Sequence, residues 1–273
     1  MCVAASMLLT ACGAFAEPSA NAKMPAETES VLLQGETQVL SEFHSIEIDV
    51  TAADIQVVPG KQWAISYHLS EKEPIKRFGV QNGTLYVKTM FNAKEHFERN
   101  QDWFVTVTVP ETAVLSEVDL ETISGNVQVQ GMNCDEVSLS STSGDVSAEG
   151  ITGREVGLET VSGSITAKAI SSASLEAETV SGSMSVNGAF AELETETISG
   201  STEVSGSISM EGALQSTSGN ITLSLDRPAS ISAGSVGGVT LNGEKAKNPL
   251  QLYEGAPIKI QSVSGKIDIQ TGL

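Results

Sequence analysis

VSLSSTSGDVSA at residues 137–148, VGLETVSGSITA at 156–167 and LEAETVSGSMSV at 175–186 are three copies of one pattern in this 273-residue chain. Each copy carries the marker Thr/Ser-x-Ser-Gly. The marker recurs with its glycine at positions 125, 144, 163, 182, 200, 219 and 265, and a degenerate copy ends at 238. The successive steps are 19, 19, 19, 18, 19, 19 and 27 residues. A repeat this regular indicates that each copy is one structural unit that stacks on its neighbours.

Alignment of the copies on the marker glycine shows which side chains each repeat buries. The positions seven and five residues before the glycine and two and four after it are mostly apolar, as in Val156, Leu158, Ile165 and Ala167. A spacing of two residues is typical of a β-strand with one buried face. The Ser-Gly step between the strands is typical of a turn, in which glycine tolerates positive φ and the next polar residue bonds its own backbone.

Two all-β architectures fit a repeat of strand, turn, strand and turn. An antiparallel meander would pair the two strands of one repeat as a hairpin, and its neighbouring repeats need not resemble each other. A parallel β-solenoid, a single-stranded β-helix with 19-residue coils, stacks equivalent positions about 4.8 Å apart. We predict the solenoid, because the same small residues return at the same positions and only 4% of the residues are aromatic.

The pattern extends upstream into a looser β section at residues 39–110, which precedes the solenoid repeats at 111–273. The sequence TAADI at 51–55 resembles a repeat turn with Ala53 in the glycine position. Residues 61–109 are an insert of alternating runs with a hairpin turn at Asn82-Gly83. We expect this section to cap one end of the solenoid, and the last repeat, which finishes at residues 267–271, to form the other end.

The first residues have the composition of an export signal. Residues 1–11 are small and apolar, and Leu9-Thr10-Ala11-Cys12 resembles the lipobox of bacterial lipoproteins, although no Lys or Arg precedes it. We expect the Cys12 sulfur to carry a diacylglycerol after removal of residues 1–11, with residues 12–38 as a flexible tether. The alternative is an ordinary signal peptide that contains Cys12 by chance. If Cys12 carries the lipid, Cys134 is the one thiol left for the folded domain, and we expect it to be inert.

The charge composition excludes nucleic acid as a partner. The chain has 15 Lys and Arg against 34 Asp and Glu, a formal net charge of −19, whereas phosphate binding needs clustered basic residues. His44, His68 and His96 follow no metal-ligand spacing, so we predict no cofactor and no catalytic residue. The enzyme alternative is a polysaccharide lyase on a parallel β-helix, but the repeats offer only Arg154 and Arg227 as arginines beside mostly Glu.

One set of acidic residues follows the repeat. Glu121, Glu159, Glu178 and Glu196 each lie four residues before a marker glycine. If the coils stack, Glu159, Glu178 and Glu196 form a row of carboxylates about 5 Å apart. Two interpretations stay open: a solvated acidic face that keeps the protein soluble, and a weak Ca²⁺ ladder at these three residues. The Ser or Thr three residues before each glycine is expected to form hydrogen bonds along the stack.

The sequence also resembles a known family. FHSIEI at 43–48, ADIQV at 53–57, VTVP at 107–110 and the serial Thr-x-Ser-Gly-x-Val steps are similar to the DUF-type β-strand-repeat family of candidate adhesins, which occur in bacterial surface and membrane-associated proteins. The resemblance covers about residues 40–273. It implies a parallel β-helix located outside the cytoplasmic membrane, and it carries over no active site.

These observations predict a non-catalytic surface protein of the cell envelope, either an adhesin or a scaffold that binds a protein or a glycan. The predicted location is the outer face of the cytoplasmic membrane or the cell surface, reached by export and held by a lipid anchor. The predicted contacts are the membrane, through that anchor, and an envelope protein or glycan. The alternatives are an accessory of an envelope-stress sensing system and a β-helix enzyme that acts on polysaccharides.

Overall fold

Short apolar alternations along the chain build an all-β structure. The structure is a computed structural model and describes residues 35–71, 75–90 and 102–271. The predicted signal peptide, Cys12, most of the predicted tether and His96 lie outside the described residues. Within the described ranges, no helix is long and apolar enough to cross a membrane.

The strands fall into three groups by length and position. The N-terminal strands are short: β1 (Gln38–Val39), β2 (Ser45–Val50), β3 (Asp54–Gly60), β4 (Ala64–His68), β5 (Ile75–Gln81), β6 (Thr84–Thr89) and β7 (Phe104–Pro110). The strands of the regular repeats are longer: β8 (Val114–Thr122), β9 (Val127–Ser141), β10 (Val146–Thr160), β11 (Ile165–Ser181), β12 (Met184–Ser199) and β13 (Thr202–Ser216). The C-terminal strands are short again: β14 (Ile221–Leu225), β15 (Ser230–Ser235), β16 (Val239–Leu241), β17 (Glu244–Lys245), β18 (Leu250–Gln251), β19 (Pro257–Ser262) and β20 (Ile267–Thr271).

Each repeat is one coil of a parallel β-solenoid, as the spacing predicted. Consecutive strands pair in parallel with equivalent residues opposite each other, for example Val146 with Ile165 and Thr160 with Thr179 in β10 and β11. The long strands β9–β13 pass through a corner, which in β10 lies at Gly150 with φ +67°. The continuous sheet therefore folds around a narrow core. We call the side built by residues before each marker turn sheet 1, and the side built by residues after it sheet 2.

The positions predicted to face inward form the core between the two sheets. Val156, Leu158, Ile165 and Ala167 are all at most 2% exposed. Residues near the corners add a further buried layer, which includes Cys134. The Cys134 thiol contacts the Glu136 carbonyl at 3.0 Å, and burial raises its pKa to about 11. The thiol is therefore protonated at neutral pH.

The coils do not stack in chain order at either end of the solenoid. The last strands in the chain, β19 and β20, lie between β13–β14 on one side and β15–β16 on the other. In the same way β2 lies between β6 and β8, and β3 lies between β7 and β9. The expectation that the last repeat ends the stack is therefore wrong. The first and last coils of the chain are each held by neighbours on both sides.

Antiparallel strands cover the outermost parallel strands. At the N-terminal end β4 pairs with β7 and β5 pairs with β6, while at the C-terminal end β17 pairs with β16 and β18 pairs with β15. Short antiparallel strands at both ends limit the unpaired edge that could recruit another chain. The boundary between residues 110 and 111 stays a prediction, and β2 and β3 pair directly with β8 and β9 across it.

The marker glycine is required by the close approach of neighbouring coils. A Cβ atom on Gly163 would lie 2.0 Å from the carbonyl oxygen of Gly144, which occupies the same position one coil away. Only Gly200 and Gly238 among the marker glycines have positive φ, so the interpretation from turn conformation is wrong for most of them. The polar residue after the glycine also bonds the adjacent coil, since Asp145 accepts a hydrogen bond from the Ser164 amide at 2.8 Å.

Most of the buried Ser and Thr before the turns form the predicted hydrogen bonds along the stack. The hydroxyls of Ser141, Thr160 and Thr179 donate to the carbonyl of the marker glycine one coil away, at 2.8, 2.9 and 3.1 Å. These bonds join side chain to backbone, so each turn is tied to the next. The prediction of hydrogen bonds between coils is confirmed at Thr122, Ser141, Thr160 and Thr179. It is wrong at Thr197 and Ser216, whose buried hydroxyls have no hydrogen-bond partner among the described residues.

Candidate functional site

The outward side of sheet 1 carries three parallel rows of carboxylates, which we call the acidic face. In-register pairing places many of these carboxylates on adjacent strands, about 4.8 Å apart along the stack. Ser174 interrupts the first row, and Ser138 and Gly157 interrupt the second. The first row holds Glu117, Glu136, Glu155, Glu192 and Glu211; the second holds Glu47, Asp119, Glu176 and Glu194; the third holds Asp49, Glu121, Glu159, Glu178 and Glu196.

The third row contains the ladder found in the sequence. Glu159 pairs with Glu178, and Glu178 pairs with Glu196, so the three carboxylates occupy consecutive coils. Ser140 separates Glu121 from them. The other two rows were not predicted from the sequence, because the predicted ladder covers only one outward position of each repeat. The alternation Glu-x-Glu-x-Glu at residues 192–196 is the signal that could have revealed them.

Ionisation is suppressed at the centre of the acidic face. Partial burial, followed by the charges of Glu176, Glu196 and Glu159 and a hydrogen bond with Glu176, raises the pKa of Glu178 to about 7. Part of this shift is therefore repulsion between neighbouring carboxylates. A positive charge placed against this surface would relieve that repulsion.

The same effect recurs at the N-terminal end of the face. Partial burial, followed by the charges of Glu121, Glu47 and Glu117, raises the pKa of Asp119 to about 6, while Lys88 acts in the opposite direction. Two separate places on sheet 1 therefore show the combined effect of burial and crowded negative charge.

Few basic side chains neutralise the acidic face. Lys88 contacts Glu47 at one end, and Arg154 contacts Glu155 and lies 3.7 Å from Glu136 at one edge. Within the described ranges, no basic side chain forms an ion pair with Glu159, Glu178 or Glu196. The centre of the face is therefore uncompensated.

Sheet 2 presents a largely neutral outer surface. One of its outward rows holds Gln128, Ser147, Thr166 and Ser185 in register. Glu203 continues that row with Ser185 and Thr222 as its neighbours. The excess negative charge of the repeats is thus concentrated on one side of the molecule.

The structure adds little about the other predicted sites. Among the described residues, no group of three or more His, Cys, Asp and Glu is arranged to hold a metal ion. His44 lies next to the Ser45 hydroxyl at 3.3 Å, and His68 ends β4. Calcium binding by Glu159, Glu178 and Glu196 stays a prediction. So does lipidation at Cys12, which lies outside the described residues.

Residues 43–270 match the family model described as Toastrack DUF4097. The chain belongs to the Toastrack family. This confirms the resemblance to a DUF-type β-repeat family that the motifs indicated, and the Toastrack chain shows the all-β repeat fold expected from it. Comparison with curated protein sequences gives no significant match.

Several crystal structures are similar to the Toastrack chain at low sequence identity. A candidate adhesin from Bacteroides fragilis has 15% identity and a TM-score of 0.42, with 87% of this chain and 95% of that chain covered. A candidate lipid-binding protein from Parabacteroides distasonis has 16% identity and a TM-score of 0.40, with 86% and 96% covered. A candidate cell adhesion protein from Clostridium sporogenes has 12% identity and a TM-score of 0.29, with 87% and 98% covered.

Proposed function

We propose that this Toastrack chain is a non-catalytic binding scaffold of the bacterial cell envelope, exported and held at the membrane by a lipid on Cys12. Its acidic face binds a Lys- or Arg-rich segment of another envelope protein. The observation that carries this proposal is the concentration of carboxylate rows on one outer sheet, with few basic side chains to neutralise them.

The electrostatics of the acidic face favour a cationic partner. Ionised carboxylates at the strand spacing repel each other, and a partner with positive charges at a similar spacing replaces repulsion by attraction. Such complementarity accelerates association and selects partners by charge. Anionic lipid headgroups would be repelled by the same face within about 8 Å at physiological salt. The tether would then keep the domain away from the membrane surface.

A binding role fits the shape of the acidic face better than catalysis does. Its carboxylates project from a continuous sheet, and neither of two open grooves formed by the described residues includes any of them. General acid and base groups act where a cleft positions a substrate and excludes water. The acidic face offers an extended contact surface instead.

Calorimetric titration with two peptides of equal length, one rich in lysine and one rich in glutamate, tests the proposed binding. We expect the full-length protein to bind the lysine peptide with an affinity that falls as salt rises, and to ignore the glutamate peptide. Glu178→Gln combined with Glu194→Gln should weaken binding about 3- to 10-fold. Glu149→Gln combined with Glu203→Gln removes the same charge from sheet 2 and should change it less than about 2-fold.

Equal weakening by the two double variants would contradict the proposal, because it would show a response to net charge rather than to the acidic face. Absence of lysine-peptide binding at low salt would contradict it as well.

Cell fractionation with a labelled fatty acid tests the proposed anchor. We expect the wild-type protein to carry the label and to remain with membranes. Cys12→Ala should lose the label and leave the membrane fraction, while Cys134→Ala should retain both. Membrane retention of Cys12→Ala would refute the lipid anchor without bearing on the acidic face.

A further inference from the structure

A polar groove of about 670 Å³ opens on sheet 2, on the other side of the core from the acidic face. Its floor is one row of the stack, in which Asn187 pairs with Ser205, Ser205 with Ser224, and Ser224 with Gln270. Four strands at the β-sheet spacing give the floor a length of about 14 Å. Both the volume and the length suit a small ligand or a short oligomer.

The groove begins where the repeat loses one residue. In β11 two residues, Lys168 and Ala169, lie between the paired positions at the corner, whereas β12 has only Asn187 there. This deletion is the 18-residue step in the sequence. From this coil onward the corner is tight, since a Cβ atom on Gly206 would lie 1.9 Å from the Gly188 carbonyl oxygen.

Short side chains and the C-terminal turn complete the recess. The equivalent positions in the earlier coils carry Gln130, Glu149 and Lys168, which are longer than the two serines of the groove floor. Asp226 lies where the chain leaves β14, and the turn between β16 and β17 places Asn242 at the end of the groove. A single shortened corner thus converts a filled surface into an open groove.

The lining of the groove is suited to hydroxyl groups. Asn187 donates to the Ser205 hydroxyl at 3.0 Å, which leaves an amide hydrogen and the serine hydrogen for a ligand. Within the described part of the chain, the Ser224 hydroxyl, the Gln270 amide and the Asp226 carboxylate have no hydrogen-bond partner. Amide and hydroxyl groups both donate and accept, as sugar hydroxyls do.

The lining also argues against other ligand classes. It contains no Lys, Arg or His and one carboxylate, Asp226, so it offers nothing to neutralise a phosphate or a uronic acid. Leu225 is its one large apolar residue, which is too little for a lipid chain. The chemistry selects a neutral ligand with many hydroxyl groups.

We propose that this groove binds a neutral oligosaccharide. Asn187, Ser205, Ser224 and Gln270 contact successive sugar hydroxyls along the stack, and Asp226 accepts a hydrogen bond at the side. The site is separate from the acidic face, so it adds a glycan contact that does not depend on the cationic partner proposed above.

Ligand-observed NMR and calorimetry on the full-length protein test this site with neutral linear trisaccharides of glucose, mannose, galactose and N-acetylglucosamine, and with trigalacturonic acid as the anionic comparison. We expect at least one neutral trisaccharide to bind at millimolar concentration, and trigalacturonic acid to bind more weakly. Gln270→Ala and Asn187→Ala should each lower the affinity about 5-fold, the effect of one lost hydrogen bond. Gln130→Ala is the matched control, because Gln130 has the same position in its coil and lies outside the groove; it should leave the affinity unchanged.

Three outcomes would overturn the proposal: no binding of any neutral trisaccharide, tighter binding of the anionic trisaccharide, or equal losses in Gln130→Ala and Gln270→Ala. Ser224→Phe provides a second check, since its ring should block the groove and abolish binding. The melting temperatures of the variants should stay close to that of the wild type, because Asn187 and Gln270 are exposed and Ser224 is half-buried on the outer side of sheet 2. The lysine-peptide titration of Ser224→Phe should be unchanged, so the outcomes at the two sites can be distinguished.

Discussion

Replacement of Glu178 by glutamine should stabilise the protein at alkaline pH. The pKa of Glu178 is raised from its ordinary value of 4.5 to about 7 in the folded protein. The folded state therefore binds the proton more strongly than the unfolded state does. The stability that this residue contributes is fully present below pH 4.5 and is lost as the pH rises through 7. Glutamine has the same size and no charge, so it removes this loss.

The magnitude follows from the difference between the two pKa values. A change from 4.5 to about 7 corresponds to about 3 kcal/mol without screening. Glu178 is partly exposed to solvent, and screening of surface charges reduces the expected gain to about 1 kcal/mol at pH 8. For a domain of this size, such a gain raises Tm by about 2–4 °C. At pH 4 the glutamate is protonated in the folded state and mostly protonated in the unfolded state, so the two proteins should unfold nearly alike.

Urea and thermal unfolding followed by circular dichroism at pH 8 and pH 4 measure this effect. Glu203→Gln is the matched control, because Glu203 lies on sheet 2 between Ser185 and Thr222 in the adjacent coils. It should change stability by less than about 0.5 kcal/mol at either pH. Three results would contradict a destabilising charge at Glu178: no gain in stability for Glu178→Gln at pH 8, the same gain at pH 4, or an equal gain for Glu203→Gln.

Two further pairs of variants test the stacking of the coils, each by urea unfolding. Gly163→Ala should lower the free energy of unfolding by more than about 3 kcal/mol, because its Cβ would lie 2.0 Å from the Gly144 carbonyl oxygen. Gly157→Ala, whose nearest contact is at 3.9 Å, should leave the free energy of unfolding unchanged or raise it by up to about 1 kcal/mol. Similar effects at both glycines would contradict the close approach. Thr160→Val should lower the free energy of unfolding by about 1–2 kcal/mol, because it removes the hydrogen bond to the Gly144 carbonyl. Thr195→Val should be neutral or stabilising, because the Thr195 hydroxyl is buried and has no hydrogen-bond partner among the described residues. A larger loss at Thr195 than at Thr160 would contradict the assignment of the hydrogen bond.

Features that depend on repeat position could be predicted from the sequence. The inward residues Val156 and Leu158 follow from alternation along a strand, which is a local property. The row Glu159, Glu178 and Glu196 follows from the 19-residue and 18-residue steps once the coils are assumed to stack. The repeat period sets both the neighbours of each side chain and the spacing between them.

Contacts between coils required the tertiary structure. The sequence suggested that the turn glycine serves its own backbone conformation, yet Gly163 is needed because Gly144 lies directly against it. The groove on sheet 2 was also missed, although the 18-residue step was visible. The missing residue produces a groove only because of how the neighbouring coils and the turn at Asn242 are arranged around the shortened corner, and this arrangement could not be predicted from the sequence.

The solenoid, its narrow aliphatic core and one acidic row could be predicted from the sequence, because they depend on which residues return at each position. The order of the coils required the three-dimensional structure, in which β19 lies between β13 and β15 and β2 lies between β6 and β8. Coils with nearly the same pattern can pair with one another almost equally well, so the repeat does not specify its own neighbours. In the order that the structure shows, antiparallel strands pair with the outermost parallel strands at both ends.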